Sequence, residues 1–282
     1  MDADHDLVAS GQARLVDVGG YQLALRQVGR GAPTVVLEMG LGAAGDFFDA
    51  VALQVAGFTR VVWYDHAGLG RSDPAPAPTP RTVADLAADL HRLLHVAKIP
   101  PPYVLAGHSM GGLTARYYQR HYPSDIAALV LIDSAHEEQR ERLLAALPAE
   151  AGDEPLAVAQ YRHTLRVTWV DPAANAERID NLANSSLMQQ CTRLGRLPLV
   201  VVSRGRAQAP AGLPPDLVRR RERTWRQMQC DLAALSACSV HIIAERSGHL
   251  INQEQPDVVV QAIRLALALV REQADSTAAD AC

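Results

Sequence analysis

Four continuous apolar runs constrain the fold of this chain more than any other feature. They are 34–37 (TVVL), 60–64 (RVVWY), 103–106 (YVLA) and 127–132 (AALVLI). None shows the polar–apolar alternation of a strand with one wet face. Strands that are apolar throughout belong to parallel sheets with helices on both faces. A helix-length segment separates each run from the next, which is the βαβ rhythm. The clearest crossover is 83–96, where Val83, Leu86, Leu90, Leu93 and Leu94 fall on one helical stripe. Upstream, 14–18 and 21–28 alternate around Gly19-Gly20 and predict an antiparallel hairpin.

After Ile132 the rhythm breaks. The next buried-strand candidate is 199–203, so about sixty residues intervene, well beyond a usual strand–helix connection. This stretch is polar and helix-rich, with Glu137, Glu138, Arg140 and Glu141 near its start. We read it as a helical cap at 136–195, inserted into a core made of 1–135 and 196–282. The sheet then resumes with 199–203, a helix near 216–235 and a last strand at 240–244. A final helix spans about 255–271, and residues after Glu272 read as a frayed tail. A chain of 282 residues is long enough for one full core carrying such an insertion.

Composition excludes several classes. Hydrophobic content of 48% and charged content of 21% are ordinary for a globular protein, and a net charge of −4 creates no field that would recruit nucleic acid or an anionic membrane. The cluster Arg219-Arg220-Arg221-Glu222-Arg223 with Arg226 reads as a solvated helix face, without the interleaved aromatics of single-strand binders. Lys98 is the only lysine, so a catalytic lysine is not expected. The acidic start, Met1 to Asp6, lacks the build of a signal peptide. The stretch 258–270 is interrupted by Gln261 and Arg264 and is too short to span a bilayer. The expectation is a cytoplasmic protein. Cys191, Cys230, Cys238 and Cys282 show neither zinc spacing nor C-x-x-C and read as isolated thiols, with Cys191 paired to Cys230 or Cys238 as the alternative in an exported protein.

The chemistry is carried by Gly107-His108-Ser109-Met110-Gly111, set between the run ending at Ala106 and a helix-compatible stretch from Leu113 to Tyr118. Strand, sharp turn with small residues, then helix is the setting of a nucleophile elbow. A serine hydroxyl needs an adjacent base. Where the chain order is serine, acid, histidine, that base follows the last strand, which selects His249 in Ser247-Gly248-His249. His66, His136 and His241 are weaker rivals, and His108 reads as packing. Asp133, at the end of 127–132, is preferred as the orienting acid over Asp216, which an N-cap role explains. Acyl transfer also requires two converging N–H donors for the oxyanion. The amide of Met110 and that of Leu41, in the turn Glu38-Met39-Gly40-Leu41-Gly42, are the candidates. Asp65, in the turn Asp65 to Asp73, reads as a loop organiser.

Together these segments resemble the α/β-hydrolase fold, in its serine hydrolase branch. The likeness covers about residues 20–271 and is weakest in the cap. The gap of 24 residues from Ser109 to Asp133 is similar to that in members whose acid follows the strand after the nucleophile helix. One departure is Met39-Gly40, where many relatives have His-Gly. The resemblance implies acyl transfer to water through an acyl-enzyme, with a small-molecule carboxylic ester as substrate and no metal or organic cofactor. Relatives that open epoxides or displace halide carry aspartate at the elbow, where this chain has Ser109. The same triad also serves thioesterases, lactonases, aminopeptidases and C–C bond hydrolases, and a non-catalytic ligand-binding protein is the reading from another class. Within the cap, Trp169 and Met188 are the candidate pocket walls, among a set that includes Leu165, Leu182 and Leu187.

Overall fold

The computed structural model describes residues 12–76 and 80–280; the acidic start at 1–6 and Cys282 lie outside them. Eight strands run in chain order: β1 (Arg14–Asp17), β2 (Gln22–Val28), β3 (Thr34–Glu38), β4 (Val61–Tyr64), β5 (Tyr103–His108), β6 (Ile126–Ile132), β7 (Leu199–Arg204) and β8 (Ser239–Ala244). They form one sheet in the order β1-β2-β4-β3-β5-β6-β7-β8. The hairpin β1–β2 is antiparallel, β2 joins β4 antiparallel, and every pairing from there to β8 is parallel. The helices are α1 (Asp49–Val55), α2 (Val83–Val96), α3 (Met110–His121), α4 (Gln139–Ala145), α5 (Leu156–His163), α6 (Asn181–Met188), α7 (Pro215–Ala233), α8 (Ile251–Glu254) and α9 (Pro256–Asp280).

The apolar runs are apolar because both faces of the sheet are covered. In β3, β4, β5 and β7 every residue is buried. Alternate side chains enter two separate cores: Val36, Leu105, Leu129 and Val201 pack with α2 on one side, while Val35, Leu37, Val130 and Val202 pack with α9 on the other. α2 matches its expected span, and a capping box between Thr82 and Asp85 starts it. α9 differs from expectation: it continues to Asp280 instead of fraying after Glu272. The added turns include Ala274, Ala278 and Ala279, strong helix formers with no Gly or Pro among them to end the helix.

Between β6 and β7, residues 136–195 hold α4, α5 with a π-helical turn Thr164–Thr168, a 3-10 turn Pro172–Ala174 and α6. Leu143, Val158, Tyr161 and Leu165 form a small apolar cluster completed by Leu213 and Leu217 of the β7–α7 region. A parallel bridge between Arg81 and Ile179 stitches the segment to the start of α2. Among the described residues, no helix is long and apolar enough to cross a membrane.

Register fixes where the chemistry can gather. His108 pairs with Ile132 across β5 and β6, so Ser109 and Asp133 leave the sheet side by side at its carboxyl edge. Ligand sites of open α/β sheets form at this edge.

Candidate active site

Ser109 occupies a backbone conformation that ordinary residues avoid, with φ 53° and ψ −119°. Close packing makes the glycines around it necessary. A Cβ on Gly107 would lie 2.2 Å from the Gly111 carbonyl oxygen, and one on Gly111 would lie 2.5 Å from those of Glu38 and Met39. The elbow is pinned to the neighbouring strand: the Ser109 N–H donates to the Ile132 carbonyl (3.0 Å), and the Ser109 carbonyl accepts from Ala135 N–H (2.9 Å). Met110 opens α3, so its N–H has no acceptor within the helix and points from a positive dipole end. Leu41 sits in the turn closed by Ala43 N–H on the Gly40 carbonyl (3.1 Å).

The structure brings Asp133 and His249 together. His249 Nδ1 donates to Asp133 Oδ2 at 2.6 Å. The same fully buried carboxylate accepts from Arg204 Nη1 (2.8 Å), Arg204 N–H (3.2 Å) and Trp225 Nε1 (2.8 Å). Burial opposes its charge, but the His249 hydrogen bond, the Arg204 guanidinium and Trp225 outweigh that and hold its pKa down to about 2. An ionised Asp133 keeps the His249 proton on Nδ1 and leaves Nε2 as the free base.

Arg204 and Trp225 are site residues that sequence reasoning missed. Arg204 ends a strand buried along its whole length, and a charge at such a position was the available signal. His108 is more than packing. Its Nε2 donates to the His249 carbonyl at 2.8 Å, with the two rings 4.6 Å apart. Burial pushes its pKa down to about 4, so the ring stays a neutral strut. The His249 N–H donates in turn to Gln208 Oε1 (2.8 Å).

Two of the rival histidines, His66 and His241, are engaged elsewhere. His66 is buried between Glu177 Oε2 (Nδ1, 2.7 Å) and Glu38 Oε1 (Nε2, 2.9 Å). Burial disfavours its charge, yet the two carboxylates raise its pKa to about 10. The other Glu177 oxygen accepts from Gly42 N–H at 2.6 Å, so this cluster fixes the turn that carries Leu41. His241 bonds Ser203 Oγ (2.8 Å). Asp65 organises its turn as expected, accepting from Arg71 N–H (2.9 Å) and pairing with Arg26 (3.1 Å). Asp216 is exposed in the first turn of α7, where Pro214 holds the N-cap position without a side-chain bond, so its expected N-cap role is not observed.

Ser109, Met110, Leu41 and His249 line one cavity of about 210 Å³, together with Trp169, His136 and polar residues of α4 and α6. Trp169 is thus at the expected wall. Met188 is not: it is wholly buried with Val83, Leu113 and Cys191, because its side of α6 faces α2 and α3. Leu165 is buried in the segment's own cluster, and Leu182 is exposed. The basic cluster divides likewise. Arg219, Arg220, Arg223 and Arg226 are solvated, whereas Arg221 lines the cavity and Glu222 is buried beside Arg204. Among the described residues, no group of three or more His, Cys, Asp or Glu is placed to hold a metal ion, and Cys191, Cys230 and Cys238 are free thiols.

The model of the alpha/beta hydrolase fold family matches residues 33–169, the stretch that carries the Gly40–Ala43 turn, the elbow and Asp133. The chain has the α/β-hydrolase fold. Its curated relatives include the uncharacterized protein YqjL of Bacillus subtilis, 26% identical with 83% of each chain covered. The putative carbamate hydrolase RutD of Klebsiella pneumoniae is 35% identical over 46% of this chain and 52% of its own length. The chain thus spans about half the length of that relative, and of another it spans 19%. Among solved structures, a thermophilic esterase from Thermogutta terrifontis superposes with a TM-score of 0.59 at 21% identity, covering 92% of this chain and 99% of that one.

Proposed function

We propose that this α/β hydrolase is a serine esterase that cleaves carboxylic esters through an acyl-enzyme. The carrying observation is the 2.6 Å His249–Asp133 pair, with Ser109 and His249 lining one cavity. In this reading, His249 Nε2 takes the Ser109 proton as Oγ adds to the ester carbonyl. The N–H groups of Met110 and Leu41 receive the oxyanion. Collapse of the tetrahedral intermediate expels the alcohol, which takes its proton from His249. Water, activated by the same imidazole, then frees the acid and restores Ser109. Asp133 remains ionised throughout. A cytoplasmic location agrees with the free thiols.

Carbamates are the second reading, supported by the likeness to a putative carbamate hydrolase. The test is a panel of p-nitrophenyl esters beside a carbamate, a thioester, a lactone and an aminoacyl anilide, with phosphonate labelling followed by peptide mapping. One label at Ser109 and fastest turnover of the esters are expected. Labelling elsewhere would remove the nucleophile assignment, and a carbamate preference would replace the ester.

A further inference from the structure

The cavity beside Ser109 has walls of different chemistry. Core residues such as Leu41, Met110 and Leu113 make one side apolar. The side made by 136–195 carries polar groups whose hydrogen bonding is unfilled. Asn184 is only 1% exposed, and its Oδ1 accepts Val83 N–H at 2.8 Å. That bond fixes the amide's orientation, because Val83 opens α2 and needs an acceptor. It leaves the Asn184 Nδ2 hydrogens without a protein partner. His136 Nδ1 accepts from Glu138 N–H (3.1 Å), so the neutral ring carries its proton on Nε2. Burial keeps that ring below the usual histidine range and therefore neutral near pH 7. Gln139 adds a buried Oε1, also without a partner. A buried donor left unmade is costly, and native structures rarely retain one without a use.

Charge narrows what could fill these groups. Arg204 is paired with Asp133 (2.8 Å) and Glu222 (3.2 Å), and Arg221 with Glu222 (2.6 Å). Among the described lining residues, both arginines are thus neutralised, and a carboxylate would find no unpaired partner. A neutral oxygen would accept from Asn184 and His136. A cavity of about 210 Å³ admits only a short group.

We propose that the substrate bears a neutral oxygen acceptor, a keto or hydroxyl group, on the short part of the ester that enters this cavity, which 136–195 reads through Asn184 and His136. The inference rests on the esterase reading. It deepens that reading from ester to short oxo- or hydroxy-ester.

The experiment compares matched pairs on the intact enzyme. In the acyl series these are p-nitrophenyl 3-hydroxybutyrate against butyrate, and 4-oxopentanoate against pentanoate. In the alcohol series they are acetol acetate against propyl acetate. Each kcat/KM is divided by the rate of hydroxide hydrolysis. In one series the oxygenated ester should win by at least about tenfold, since the plain analogue leaves buried donors unmade. Asn184→Asp keeps an acceptor for Val83 but removes both donors, and should lower that ratio about tenfold. Equal rates within every pair would overturn the inference while leaving esterase activity and Ser109 labelling intact. Fastest turnover of p-nitrophenyl hemisuccinate would overturn it in favour of an anion site. Failure of the esterase reading is distinct: no ester would turn over and no label would appear. The wild-type comparison decides the matter even if Asn184→Asp does not fold.

Discussion

The parallel sheet and the segment 136–195 meet over Ser109, but they are held together by different physics. Central strands bury every residue, and two apolar cores clamp them from both sides. Their ends are therefore fixed by backbone register, and so are the residues placed there. The segment consists of short helices and turns around a small apolar cluster. It is tied down by buried ions instead. Arg116 of α3 grips Glu137 (2.7 and 3.0 Å) and the Cys191 carbonyl (2.7 Å), near the two ends of the segment. Glu177 reaches His66 and Gly42 in the core. The sheet positions groups that make and break bonds, while the ion-anchored segment presents polar groups to whatever occupies the cavity.

The largest effects should come from the sheet side. Ser109→Ala should lower kcat by on the order of 10⁶, and His249→Ala nearly as much, with the double variant little worse than either. Asp133→Asn should cost on the order of 10⁴ by leaving His249 in the wrong tautomer. Asp216→Asn should change kcat by less than about twofold, because Asp216 is an exposed first-turn residue remote from the cavity lining. Steady-state kinetics on one ester would check all four. A severe loss in Asp216→Asn with normal Asp133→Asn would break the division at its core side.

The ion anchors predict intermediate effects. Removing one partner of a buried pair costs about 3–5 kcal/mol, so Glu177→Leu should destabilise the protein by about that much in urea unfolding. It should also slow ester turnover by freeing the turn that holds Leu41. pH has a defined direction here. The folded pKa of His66, about 10, lies above the ordinary histidine value of about 6.5. Its contribution to stability is therefore complete below about 6.5 and is lost as pH rises from there through about 10. Asp133, held near 2, acts at the opposite end: its contribution is complete above about 3.9 and is lost as pH falls toward 2. Unfolding measured between pH 6 and 10 should show a decline that His66→Gln flattens. An equal decline in both proteins would mean that His66 does not anchor the segment.

The sequence was legible where one physical rule acted alone. Strands buried on both faces declare themselves as apolar runs, so β3 to β7 were expected within a few residues. Ser109 and His249 follow from the elbow and from the chain order. Asp133 needed a choice between two strand ends, and the structure places it against His249. The supporting set was opaque, because it depends on contacts between distant loops. Arg204 and Trp225 meet Asp133 across 71 and 92 residues of chain. His66 reaches Glu177 across 111. The pocket wall was opaque for another reason. An apolar residue in a short helix reads alike whether it faces a cavity or the interior, and Met188 proves to face the interior.

That ambiguity gives the smallest and most discriminating prediction. Trp169 ends the π-helical turn, and its carbonyl accepts from Asn181 Nδ2 at 2.8 Å, which ties the turn to α6 and presents the indole to the cavity. Trp169→Ala should therefore shift the ranking of short against long esters by about 1–3 kcal/mol in kcat/KM. It should change stability less than a core truncation would. Met188→Ala should do the reverse, costing about 2–5 kcal/mol of stability as a buried truncation while leaving the ranking as it was. A chain-length series on both folded variants, with unfolding curves beside it, separates the two roles. A changed ranking in Met188→Ala alone would mean that α6 turns its apolar side to the substrate. An unchanged ranking in both would move size selection onto the core wall at Leu41 and Leu113, and leave 136–195 to act through its polar groups alone.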